Sequence, residues 1–144
     1  MTQEELLKKI GEYGGEFAPA TTIGNMNITN INLQKMRIAM LPTYMVNLYQ
    51  TCGGIMLGSG YIFGPSQVSY NNKHPVPNLI QINQDLSNIP AMQGKTLFGR
   101  NDLFWFVFDS FGNCFMLDNT NLRVLRKYQD PYKCIYDCLV GGRF

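Results

Sequence analysis

Between residues 41 and 54 the apolar positions Leu41, Tyr44, Met45, Leu48 and Cys52 recur at helical spacing, the pattern of a helix with one face turned to a core. Pro42 suits its first position, where a missing N–H costs nothing and φ is already helical. Gly53 and Gly54 are expected to stop it by entering the left-handed conformation open to glycine. A strand-like run, 55–63, follows at once, with Gly58 and Gly60 marking a tight turn or bulge inside it. A buried helix that turns sharply into a sheet is therefore predicted at the middle of the chain.

The flanking pattern extends this reading. Residues 2–13 predict a short helix with Thr2 and Glu5 at capping-box spacing and Leu6, Leu7 and Ile10 on its apolar face. Residues 16–30 show no clear period and read as a surface loop or arm, with Phe17, Ile23, Met26 and Ile28 seeking burial. A second helix is expected from Asn32 to just before Pro42. After a long polar loop, 67–77, Asn78 is placed to cap a short helix over 79–86. The last third predicts an antiparallel meander: strands at 96–98, 103–108, 114–117 and 122–128, with turns at 99–102, 109–113 and 118–121. The run 103–108 is apolar on both faces, as a central strand covered on both sides would be. Asp130-Pro131 opens a final helix, 132–140, with Ile135, Cys138 and Leu139 facing inward. The fold class is α+β: a single domain with a mainly antiparallel sheet and helices packed on it. Residues 1–30 form an N-terminal helix and wrapping arm, and 31–144 the main body.

Composition narrows the function classes. The 144 residues are 45% hydrophobic and 15% charged, which excludes a disordered chain and fits one cored domain. A net charge of +2 supplies no field for non-specific nucleic-acid or membrane binding. The N-terminal stretch lacks the apolar segment of a secretory signal, and no apolar run is long enough to span a bilayer. A cytoplasmic protein with reduced thiols is expected.

Candidate chemistry is sparse. His74, the single histidine, lies in a proline-rich polar loop without a positioned partner in sequence. Cys134 and Cys138 are four apart on a predicted helix, but the further ligands that zinc requires are not near them. Core packing by small thiols is the simpler reading for at least Cys138, and Cys114 in a strand and Cys52 at a helix end read as equally structural. A Cys52–His74 hydrolase pair has no supporting motif. Gly58-Ser59-Gly60 lacks the Lys-Ser/Thr and helix start of a phosphate loop. Arg123, Arg126 and Lys127 read as the solvated face of an edge strand. No catalytic residue, metal or cofactor is expected.

Two motifs stand in order. The first is Leu41, Pro42, Tyr44, Leu48, Gly53 and Gly54; the second is 104–109 with Gly112 and Asn113, followed by a closing amphipathic helix. Over roughly 31–141 this arrangement resembles the SUKH superfamily, the α+β domain of a yeast cell-wall-synthesis regulator and of many bacterial immunity proteins. The resemblance implies a mixed sheet with helices packed on it and a protein-binding role, in many bacterial members the neutralisation of a toxin encoded alongside. A cytosolic scaffold or regulator binding a cellular protein is the alternative reading. The aromatic surplus fits either, since Tyr and Trp bury large area at small entropic cost. Tyr61, Tyr70, Trp105 and Phe111 are the candidate partner-binding anchors.

Overall fold

The structure, a computed structural model, describes residues 1–70 and 75–141. Seven strands form one antiparallel sheet in sequence order: β1 (Glu16–Phe17), β2 (Ile55–Leu57), β3 (Gly60–Ile62), β4 (Thr96–Arg100), β5 (Phe104–Phe108), β6 (Cys114–Asp118) and β7 (Val124–Tyr128). Every neighbouring pair runs antiparallel, so the sheet is a continuous meander and not the mixed sheet the resemblance implies. Among the described residues five helices accompany it: α1 (Gln3–Glu12), α2 (Ile23–Lys35), α3 (Thr43–Thr51), α4 (Leu79–Asn83) and α5 (Pro131–Gly141). Two 3-10 turns, Leu86–Asn88 and Pro90–Met92, follow α4.

Both faces of β5 are covered, as its unbroken apolar run requires. On the inner face Phe106 and Phe108 join Leu6 and Ile10 of α1, Met45 and Leu48 of α3, and Ile135 and Leu139 of α5 in one core. On the outer face Leu97, Val107 and Leu117 meet Met92, with Ile82, Leu86 and Ile89 packed around them. The outer cover is short, and its extent decides which part of the sheet stays open.

α1 begins as its pattern predicts, with Thr2 Oγ1 accepting from the Glu5 N–H at 3.1 Å. Residues 16–30 are not a loop. They supply β1 and most of α2, whose N-cap is Thr22 and not Asn32. The reason the period is hidden lies in the helix itself. Met26, Thr29 and Leu33 are buried on one side, while Ile23, Ile28 and Ile31 stand exposed on the other, so apolar residues occur all round and no stripe emerges. α2 ends where Arg37 takes a left-handed conformation (φ +61°) and the Ile38 N–H returns to the Leu33 carbonyl.

The central helix also differs in detail. Pro42 is its N-cap in an extended conformation, and α3 begins at Thr43. At the other end Cys52 is already extended, so no left-handed glycine stops the helix. Gly53 and Gly54 are present because space is short: a Cβ on Gly53 would lie 2.5 Å from the Pro19 carbonyl oxygen, and one on Gly54 2.9 Å from the Tyr70 hydroxyl. Gly58 makes the turn between β2 and β3 (φ +60°). Gly60 admits α5, since a Cβ there would sit 2.7 Å from the Cys138 carbonyl oxygen.

Candidate protein-binding surface

Strand register brings the first candidate residues together. Met56 lies opposite Tyr61, Tyr61 opposite Arg100, and Arg100 opposite Trp105. Directly opposed residues of an antiparallel ladder point to the same side. These four therefore form a row across β2, β3, β4 and β5 on the outer face, which Glu16 of β1 continues opposite Met56. Met56, Tyr61 and Trp105 are half-buried and Arg100 is exposed. Trp105 leans on the outer core cluster, which holds part of its surface in place and leaves the rest open.

Arg100 is held in position without being neutralised. Its guanidinium lies 5.5 Å from the centre of the Phe63 ring, and Phe63 in turn stacks on Tyr61 with centroids 6.3 Å apart and planes 9° from parallel. Among the described residues no carboxylate pairs with it. An aromatic-backed cation flanked by Tyr and Trp is the composition that dominates binding energy at protein interfaces.

The row depends on the turn that follows β4. Asn101, 7% exposed, accepts the Leu103 N–H (2.9 Å) and the Phe104 N–H (3.0 Å) on Oδ1 and donates from Nδ2 to the Cys138 carbonyl (3.1 Å). One side chain thus closes the β4–β5 turn and ties it to α5. On the far side of β4, Asn83 plays the same part: buried at 1%, it accepts from the Leu97 N–H and donates to the Leu97 and Leu79 carbonyls. A register shift between Leu97 and Gly99 moves the parity of β4 and turns Arg100 to the outer face beside Tyr61 and Trp105.

The other two predicted anchors lie elsewhere. Tyr70 is only 6% exposed, its hydroxyl tucked against Gly54, and it offers no surface to a partner. Phe111 is 90% exposed at the tip of the β5–β6 hairpin, at the opposite end of β5 from Trp105. Tyr61 and Trp105 are thus brought together, and Phe111 is a separate feature.

The thiols are packing groups. Cys52, Cys114, Cys134 and Cys138 are all reduced and buried. Burial pushes the Cys52 thiol up to about 11 and moves Cys134 and Cys138 upward too. Cys114 shifts down, because hydrogen bonding with Cys134 and with the Tyr44 hydroxyl, 2.8 Å away, outweighs its burial. Among the described residues no three metal-ligating side chains cluster. His74 lies outside the described residues. The basic cluster on β7 is partly consumed: Arg126 pairs with Asp137 at 3.1 Å and covers the Tyr128 ring, whose hydroxyl donates to the same carboxylate at 2.7 Å.

Arg100 and Asn101 do not stand out in the pattern because residues 99–102 read as a turn, and Asn83 does not because it falls within the short helix expected over 79–86. The usable signal was the pairing of a polar-capable strand, 96–100, with 104–108, which places residue 100 opposite 105.

Comparison with known proteins returns no matching family model, no matching curated protein and no matching solved structure. Among the described residues no helix is long and apolar enough to cross a membrane.

Proposed function

We propose that this chain is a non-catalytic protein-binding domain, a bacterial immunity protein that sequesters a cognate toxin in the cytoplasm. The observation that carries the binding reading is the row Met56–Tyr61–Arg100–Trp105, with a charged group that pairs with no carboxylate among the described residues. The ordered motifs 41–54 and 104–113 support the immunity assignment through their likeness to the SUKH superfamily. An acidic residue on the partner, seated on Arg100 between the two aromatic rings, would complete the site electrostatically.

The test is co-expression with the product of the adjacent open reading frame. Rescue of growth by the wild-type chain, lost with Arg100→Glu at a melting temperature within about 3 °C of the wild type's, is the expected result. Arg100 is exposed, so this change reverses a surface charge and gives up only its contact over the Phe63 ring. Full rescue by Arg100→Glu would overturn the assignment of the surface. Absence of any toxicity in the neighbour, with capture of a housekeeping protein through the same residues, would move the reading to a cellular scaffold.

A further inference from the structure

Two of the four packed thiols touch each other. Cys114 of β6 and Cys134 of α5 are hydrogen-bonded sulfur to sulfur, both buried where the helix lies on the inner face of the sheet. The Tyr44 hydroxyl of α3 stands 2.8 Å from the same Cys114 sulfur. The other two thiols face elsewhere. Cys138 points to the Tyr61 carbonyl at 3.5 Å, and Cys52 sits at the end of α3 against the Gly54 backbone. Strand and helix thus hold one pair of sulfurs in contact, and only a pair held so close can be bridged without moving the backbone.

Cys114 also differs from the other three thiols. It lines a recess of about 400 Å³ that opens between Asn113, Lys127 and Pro131, so solvent-sized molecules come up to it. Its two hydrogen-bond partners favour the anionic sulfur, whereas burial moves Cys52, Cys134 and Cys138 the other way. The anion is the nucleophile in thiol chemistry, and the Lys127 cation at the same recess suits it. Cys114 is only 1% exposed. A bulky aromatic disulfide cannot line up with a sulfur so enclosed, but hydrogen peroxide is scarcely larger than water. A thiol with anionic character beside a second thiol is the arrangement that peroxide converts to a disulfide.

We propose that Cys114 and Cys134 are a peroxide-oxidisable pair, Cys114 the attacking thiol and Cys134 the resolving one. The Cys114 sulfur attacks one oxygen of hydrogen peroxide and the O–O bond breaks. The departing hydroxide leaves as water with the thiol's proton, and Cys114 becomes a sulfenic acid. The Cys134 sulfur then attacks that sulfur and displaces its hydroxyl, which takes the Cys134 proton and leaves as a second water. Two electrons have passed from the thiols to the peroxide, and a dithiol reductant returns them. The bond ties β6 to the start of α5. Cys114 lies opposite Phe108 on the inner face, so the inference stands apart from the binding row on the outer one.

The test exposes the folded chain to hydrogen peroxide at neutral pH, removes the peroxide with catalase, and unfolds the chain in guanidinium with a thiol-alkylating reagent present. Free thiols should fall from four to two, and return to four when dithiothreitol precedes alkylation. Peptide mass mapping should join Cys114 to Cys134. Cys134→Ala should leave a sulfenic acid on Cys114 that dimedone traps. The mapping uses the unaltered chain, so it decides the matter even where the variant folds poorly. Four thiols persisting under peroxide that oxidises free cysteine in the same solution would overturn the inference. So would a bond that maps to another pair, or a sulfinic acid on Cys114 with Cys134 still free.

Discussion

Replacing Asn101 by alanine probes the turn on which the proposed binding surface rests. The side chain makes three hydrogen bonds, to the amides of Leu103 and Phe104 and to the Cys138 carbonyl. Leu103 is 61% exposed, so its freed N–H is recovered by water. The Phe104 N–H is partly buried and the Cys138 residue fully so. Two groups are left unmet, at about 1–3 kcal/mol each, for a total of about 2–6 kcal/mol. For a chain of 144 residues the unfolding entropy of about 2.1 cal/mol/K per residue converts each kcal/mol to about 3 °C, so the melting temperature should fall by about 7–20 °C. Urea denaturation followed by circular dichroism should show a lower midpoint at unchanged slope. A melting temperature within about 2 °C of the wild type would mean that the side chain does not hold the turn, and the fixed register of Arg100 and Trp105 would lose its physical basis.

Four further outcomes are expected. Asn83→Ala should cost about 2–5 kcal/mol in chemical denaturation, because both backbone groups of the buried Leu97 lose their partner. Gly60→Ala should cost several-fold more than an exposed Gly→Ala change, since its Cβ would press on the α5 backbone at Cys138 and Leu139; a melting curve like the wild type's would contradict the close helix–sheet approach. Burial pushes the Asp109 carboxyl up, but bonds from Asn113 and Phe111 and the charge of Lys127 bring it below the ordinary carboxylate value. A lowered folded value stabilises above the ordinary carboxylate range and is lost as pH falls through it, so between about pH 5 and about pH 2 Asp109→Asn should lose less melting temperature than the wild type. Finally, the four buried thiols should resist an aromatic disulfide reagent at neutral pH in the native protein and all react once it is unfolded, read by absorbance; rapid native labelling would show a thiol open to solvent.

Much of the architecture was legible where one local rule governed. α1 is announced by its cap and apolar stripe, α3 by its helical period, and the β5–β6 hairpin by an apolar run broken at Asp109–Asn113. Other features depend on partners that local sequence does not contain. α2 is masked because its exposed isoleucines cancel the stripe made by Met26 and Leu33. Gly53 and Gly54 look like helix stops, yet they answer to the Pro19 carbonyl and to Tyr70, residues distant in sequence. Arg100 joins the candidate surface only because the register shift in β4 alters which side it faces, and a one-residue shift is invisible to an alternation count. Tyr70 reads as an aromatic in a polar loop, but Gly54 leaves room for it inside the fold. The grouping of Tyr61 with Trp105 is a fact of strand pairing, not of either residue's neighbours in the chain.

The measurement closest to the central claim is the affinity of the chain for the product of the adjacent open reading frame, by titration calorimetry, with Arg100→Glu alongside. Tight one-to-one binding is expected, weakened on the order of a hundredfold in the variant while its melting temperature falls by no more than about 3 °C, the worth of the lost contact over Phe63. Equal affinities for the two chains would contradict it.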